Sequence, residues 1–220
     1  MPRPDHATIL PIYVVCDLSS SMRVDGRADA VRDALVALRD AVWVNPIVSD
    51  QARIGVLGFA GAASVLLPLC DIATVGEVPD LEPGGLTSYG AAFRLLRETV
   101  RADSTQLAAD GYRVFRPLVF FVSDGEPTDR RPEWTAEHAR LVGGPGGPEI
   151  VAFAVGEARA TTLSAVATSR CFVARTDVAV RDAIAEIGDV VIRSVVASSV
   201  TGGQAVVGAA PGGFDELDLL

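Results

Sequence analysis

The chain contains no lysine: all 19 of its Lys+Arg residues are arginine. Against 28 Asp+Glu they leave a formal net charge of -9, so the broad basic footprint of a non-specific nucleic-acid binder is missing. Without lysine there is also no Gly-x-x-x-x-Gly-Lys phosphate loop, which argues against an NTPase. The only histidines, His6 and His138, stand apart in the sequence, and no Ser-His-Asp arrangement can be placed on them. Cysteine is scarce: Cys16, Cys70 and Cys171. An odd count, with Cys16 and Cys171 beside apolar runs, reads as reduced, packed thiols in a reducing compartment. No segment approaches the apolar length of a transmembrane helix. The run Ile9 to Cys16 is interrupted by Pro11 and has no small-residue cleavage site after it, unlike a signal peptide. A cytoplasmic protein that binds neither nucleic acid nor membrane is expected.

What is present is a large apolar fraction. The chain has 220 residues, 49% hydrophobic and 21% charged, enough for one large domain with a sizeable core. It is organised around Cys16-Asp17-Leu18-Ser19-Ser20-Ser21. The apolar run Ile12 to Cys16 before it lacks polar alternation and reads as a strand buried on both faces. Asp17, Ser19 and Ser21 then recur at every second position, so a carboxylate and two hydroxyls can share one small volume. Oxygen-only donors at this spacing suit a hard cation such as Mg²⁺ better than Zn²⁺.

Further along, Asp25 reads as a helix cap, followed by a helix over about 27–43 with Ala28, Val31, Leu35, Leu38 and Val42 on one face. Asn45-Pro46 reads as its end. Two strands, 53–59 and 64–69, have so short a link that they form a hairpin and an antiparallel sheet edge. A Pro/Gly-rich loop ends in Gly84-Gly85-Leu86-Thr87-Ser88 and opens a helix over 88–101. Leu118 to Val122 is a second wholly apolar strand, and it runs into Ser123-Asp124-Gly125. Helix 134–142, strand 150–155, short helix 161–168, strand 171–174 and a long helix over 178–198 complete the pattern. Trp43 and Trp134 read as packing residues. Residues 1–8 form a lead-in, 9–198 the domain, and 199–220 a flexible Gly-rich acidic tail.

Strands alternating with helices predict an α/β fold: a doubly wound, Rossmann-like three-layer sandwich with a mostly parallel sheet, one antiparallel edge strand and helices on both faces. Ligands of such sheets bind at the carboxyl ends of the strands. If the two apolar strands are neighbours, Asp17 and Asp124 emerge there side by side, within reach of the Thr87 hydroxyl.

Asp17-x-Ser19-x-Ser21, Thr87 and Val122-Ser123-Asp124-Gly125 resemble the three parts of the metal-ion-dependent adhesion site of von Willebrand factor type A domains. The Gly84 to Ala92 and Asp124 to Asp129 stretches are most similar to bacterial TerY-like proteins. That group is associated with tellurium resistance and stress-response clusters, alongside phosphatase and kinase partners. The resemblance implies that Ser19, Ser21 and Thr87 ligate the metal directly, while Asp17 and Asp124 act mainly through waters and by accepting hydrogen bonds from the serines. It further implies a protein partner that offers an Asp or Glu carboxylate to the bound Mg²⁺ or Mn²⁺, a phosphatase or kinase of the same cluster being one candidate, and no enzymatic activity.

Two other readings compete. A Mg²⁺-dependent phosphohydrolase could use Asp17 as nucleophile, but the second carboxylate it needs two positions on is here Ser19. A structural scaffold could carry a vestigial metal site. Glu126 and Asp129 read either as shaping the rim of the site or as solvated loop carboxylates.

Overall fold

The computed structural model describes residues 7–144, 146–200 and 205–219. The lead-in lies outside the described residues as far as residue 6, and Thr8 already belongs to the first strand.

Apolar runs without alternation become the central strands. β1 (Thr8–Asp17) and β5 (Leu118–Ser123) are buried along almost their whole length, as expected for strands covered on both faces. With β2 (Ala52–Phe59), β3 (Ala63–Cys70), β4 (Arg113–Val114), β6 (Glu149–Ala154), β7 (Arg170–Ala174) and β8 (Phe214–Leu217) they build one sheet. Its order is β3-β2-β1-β5-β6-β7-β8, and the short β4 runs beside the start of β1. β2, β1, β5, β6 and β7 are mutually parallel. The 52–59 and 63–70 strands form the expected antiparallel hairpin at one edge.

The alternation of side chains along β1 divides the core in two. Leu10, Ile12, Val14 and Cys16 face α1 (Arg27–Trp43), α2 (Pro46–Gln51) and α6 (Val180–Val200). Tyr13 and Val15 face α3 (Tyr89–Ala109), α4 (Arg131–Val142) and α5 (Ala160–Ser164). Trp134 and Phe93 pack there, and His138 lies edge-on to Phe93 with Nε2 2.8 Å from the Val166 carbonyl. Burial holds the His138 pKa below its ordinary value, and the Val166 hydrogen bond opposes this. Among the described residues no helix is long and apolar enough to cross a membrane.

One helix was not expected, and three expectations need correction. Pro46 does not merely stop α1: it occupies the first turn of α2, where its missing N–H costs nothing. Asp25 is not the cap of α1, because Gly26 holds that position. Trp43 is 71% exposed and so is not a packing residue. The expected flexible tail is, in its described part, docked. Phe214–Leu217 adds β8 antiparallel to β7, giving the sheet a second antiparallel edge where one was expected.

The physical reason is non-local. Phe214 is buried and packs edge-on against Phe153, with ring centroids 5.9 Å apart. Glu216 accepts two 2.6 Å bonds from Arg170, whose guanidinium lies over the Phe172 ring. Upstream, the backbone N–H groups of Val206 and Gly208 donate to Ser198 and Ser194 of α6. Phe214→Ala is expected to lower stability by about 3 kcal/mol, the cost of truncating a buried aromatic ring. Urea denaturation measures it, and an unchanged midpoint would show that the segment is undocked.

Candidate functional site

β1 and β5 are neighbours, with Cys16 opposite Val122. Asp17 and the Ser123-Asp124 pair therefore leave the sheet together at its carboxyl end. Both carboxylates are buried, each residue only 2% exposed. Asp17 Oδ1 accepts the Ser19 backbone N–H at 2.8 Å, and Oδ2 accepts the Ser123 hydroxyl at 2.6 Å. The Ser19 and Ser21 hydroxyls lie 2.9 Å apart, and Ser21 Oγ donates to Asp124 Oδ1 at 2.7 Å. Four of the five expected site residues thus form one continuous network.

Thr87, the fifth, comes from the third loop. Its carbonyl accepts both the backbone N–H (2.7 Å) and the hydroxyl (3.0 Å) of Thr128. A Cβ placed on Gly125 would lie 3.8 Å from Thr87 Oγ1, so the hydroxyl faces the Asp124-Gly125 turn. Among the described residues Thr87 Oγ1 has no hydrogen-bond partner, although Thr87 is only 6% exposed. The loop is stapled to the serine loop at three points: Gly84 N–H to Leu18 O, Ser20 N–H to Gly85 O, and Ser20 Oγ to Gly85 O. Gly85 permits this with a positive φ of 86°. Ser20 itself is exposed and points away from the network.

Burial pushes the Asp17 pKa up to about 6, helped by the Asp124 charge and opposed by the bonds from Ser123 and Ser19. The donors available are two carboxylates and three hydroxyls. Among the described residues no group of three or more His, Cys, Asp or Glu could hold a metal, so any ion here must use the serine and threonine oxygens. Such a hydroxyl-rich set fits a hard divalent ion and leaves coordination positions to water or a guest.

The carboxylates outside the network have structural work. Glu126 accepts from the Arg159 backbone N–H and the Thr162 hydroxyl, both at 2.8 Å, and so fixes the start of α5. Asp129 accepts from the backbone N–H of Tyr89 at 3.2 Å and of Gly90 at 2.7 Å, and from Ser88 Oγ at 3.1 Å. Neither is a free rim carboxylate: Asp129 anchors the first turn of α3 immediately after Thr87. Two residues at the site were given no role from the sequence, although Ser123 stands in the Val122-Ser123-Asp124-Gly125 motif. Ser123 carries a recognisable signal, since it is the polar end of an apolar strand. Arg27, whose Nη1 sits 2.8 Å from Asp124 Oδ2, carries none.

A family profile described as the von Willebrand factor type A domain matches residues 12–126, more than half of the chain. The chain belongs to the von Willebrand factor type A domain family. No curated protein matches it. Solved structures share the fold. Proximal thread matrix protein 1 from the mussel byssus is 20% identical at a TM-score of 0.60, the match covering 87% of this chain and 49% of that one. The same mussel protein with a zinc-occupied MIDAS motif matches at 20% identity and a TM-score of 0.61, over 87% and 48%. A von Willebrand factor type A protein from Catenulispora acidiphila matches at 13% identity and a TM-score of 0.63, over 86% and 43%. The chain therefore spans about half the length of these structures or less.

In this type A domain Asp129 holds the helix start that follows Thr87. A Cβ on Gly90 would lie 2.8 Å from Asp129 Oδ2, so the capping carboxylate and an alanine cannot coexist without displacement. Asp129→Ala is expected to cost about 1–2 kcal/mol through the lost cap. Gly90→Ala is expected to destabilise the native protein yet stabilise the Asp129→Ala variant by roughly 0.5–1 kcal/mol, since alanine favours a helix. A double-mutant cycle by urea denaturation checks the sign change; equal effects in the two backgrounds would contradict the assignment.

Proposed function

We propose that this domain is a metal-dependent protein-binding module. The observation that carries the proposal is the network Asp17–Ser19–Ser21–Asp124, closed on its third side by the unpartnered Thr87 hydroxyl. Ser19, Ser21 and Thr87 supply neutral oxygens to a Mg²⁺ or Mn²⁺ ion; Asp17 and Asp124 orient the serines and hold bound water. Neutral direct ligands leave the ion's charge poorly compensated, and three of them fill only half of the roughly six positions Mg²⁺ requires. A carboxylate from an Asp or Glu of a partner is the guest that best completes such a shell.

The surroundings favour a macromolecular guest. Leu86, next to Thr87, is 64% exposed, and Val24, just after the serine loop, is 49% exposed. Exposed apolar side chains flanking a polar centre would give a partner's charged anchor an apolar surround. Catalysis is disfavoured because Asp17 is engaged through both oxygens, and Ser19 stands where a phosphohydrolase of this architecture would carry its general acid. The resemblance of the Gly84 to Ala92 and Asp124 to Asp129 stretches supports a TerY-like role in a bacterial, cytoplasmic stress or tellurite-resistance assembly, with a phosphatase or kinase as the carboxylate donor.

Mn²⁺ titration followed by electron paramagnetic resonance tests the proposal. Binding by the native protein is expected, with a loss of about tenfold or more for Ser19→Ala or Asp124→Ala, as for altered groups around a metal. An immobilised Asp-containing peptide is expected to retain the protein in Mg²⁺ and release it in chelator. Equal Mn²⁺ binding by native protein and both variants would refute the site, and turnover of a phosphate ester in Mg²⁺ would favour the enzyme reading.

A further inference from the structure

The entry into α1 is built in an uncommon way. Asp25 has φ 53° and Gly26 has φ 65°, and Asp25 is the only non-glycine residue with positive φ among those described. A left-handed aspartate is tolerated at a cost on the order of 1 kcal/mol, and such strain persists only where the surrounding structure over-determines it. Two consecutive left-handed residues turn the chain sharply, and Arg27, the first residue of α1, lands beside the serine loop. Its Nη1 donates to Asp124 Oδ2 at 2.8 Å and reaches the Ser21 carbonyl at 3.4 Å. The Asp124 side chain is 0% exposed and that of Arg27 17%. Arg27 Nε is buried with no hydrogen-bond partner among the described residues. A cationic side chain has been brought into a desolvated position at the expense of one unsatisfied donor.

The charges explain what it does there. Without an ion, Asp17 and Asp124 would be two carboxylates buried in one small volume. An unpaired buried charge is strongly destabilising, whereas a buried pair with good geometry is tolerated. Building on the metal-binding reading, we propose that Arg27 is an internal counter-cation: it holds Asp124 while the metal is away and sets the threshold at which a divalent ion binds. An arriving ion finds one of its carboxylates already neutralised and a fixed positive charge beside it. The domain thus folds without metal and binds metal less tightly than its oxygens alone would allow. Weak intrinsic binding leaves the partner's carboxylate to complete the affinity, which makes metal and partner binding mutually dependent.

The test compares native protein, Arg27→Gln and Arg27→Lys, all full chain, by Mn²⁺ titration under electron paramagnetic resonance and by thermal unfolding in chelator and in Mn²⁺. Arg27→Gln is expected to bind Mn²⁺ about tenfold more tightly, the scale of a lost neighbouring charge. It is also expected to unfold at lower temperature in chelator and to gain more from Mn²⁺ than the native protein does. Arg27→Lys, which keeps a cation, is expected to stay near native affinity. If the native protein binds Mn²⁺ and Arg27→Gln binds it no better, the counter-cation role is wrong while the metal site stands. If Arg27→Lys gains as much affinity as Arg27→Gln, charge is not the cause and the proposal also fails. Should Arg27→Gln not fold in chelator, the titration is run on protein purified in Mn²⁺ and exchanged into Mg²⁺, and the same affinity order decides. If neither native protein nor variants bind Mn²⁺, the metal reading and this proposal fall together.

Discussion

Two buried carboxylates at the ends of adjacent parallel strands are the constraint on which this structure turns. Asp17 and Asp124 are brought together by the β1–β5 pairing, which places Cys16 opposite Val122. Desolvation in that position is unfavourable for each charge, and the two repel. The surrounding chemistry answers this. Ser123 and the Ser19 backbone N–H bond Asp17, Ser21 and Arg27 bond Asp124, and the Thr87 loop is stapled over them. The site is stable because both carboxylates are hydrogen-bonded, and receptive because the Thr87 hydroxyl has no partner among the described residues and the serine hydroxyls keep lone pairs for an ion.

The fold makes that concentration of charge sustainable. The strands beneath the site are packed on both faces, with Phe59, Tyr89, Phe93 and Phe121 in mutual ring contact on one side. The loops above are tied to helix starts rather than left free: Asp129 to α3 and Glu126 to α5. A rigid base with loops anchored at both ends keeps polar atoms within the narrow tolerance that a coordination site demands. The same logic extends to the far edge, where the chain returns after α6 to add β8 and covers Phe153 and Phe172.

Much of this is legible in the sequence, for identifiable reasons. The runs before Asp17 and Asp124 lack any alternation, and runs that short and that rich in β-branched and aromatic residues fit strands covered on both faces. The second-position spacing of Asp17, Ser19 and Ser21 keeps three oxygens together without reference to the rest of the chain. What is not legible depends on partners far away in sequence. The Arg27–Asp124 bond spans 97 residues and the Asp129–Gly90 contact 39; no local pattern marks either. The terminal strand is invisible for a similar reason. Phe214 to Leu217 lies among glycines and acids and becomes β8 only because β7 offers an unpaired edge and an aromatic wall. The short α2 is not legible because a proline that ends one helix also serves as the first residue of the next.

The most direct test of the central claim is crystallographic: crystals of the full chain soaked in Mn²⁺, with data collected near the manganese absorption edge. One anomalous peak is predicted, bounded by the hydroxyls of Ser19, Ser21 and Thr87, with the carboxylates of Asp17 and Asp124 behind it. No peak there, with the three loops positioned as described, would contradict the account.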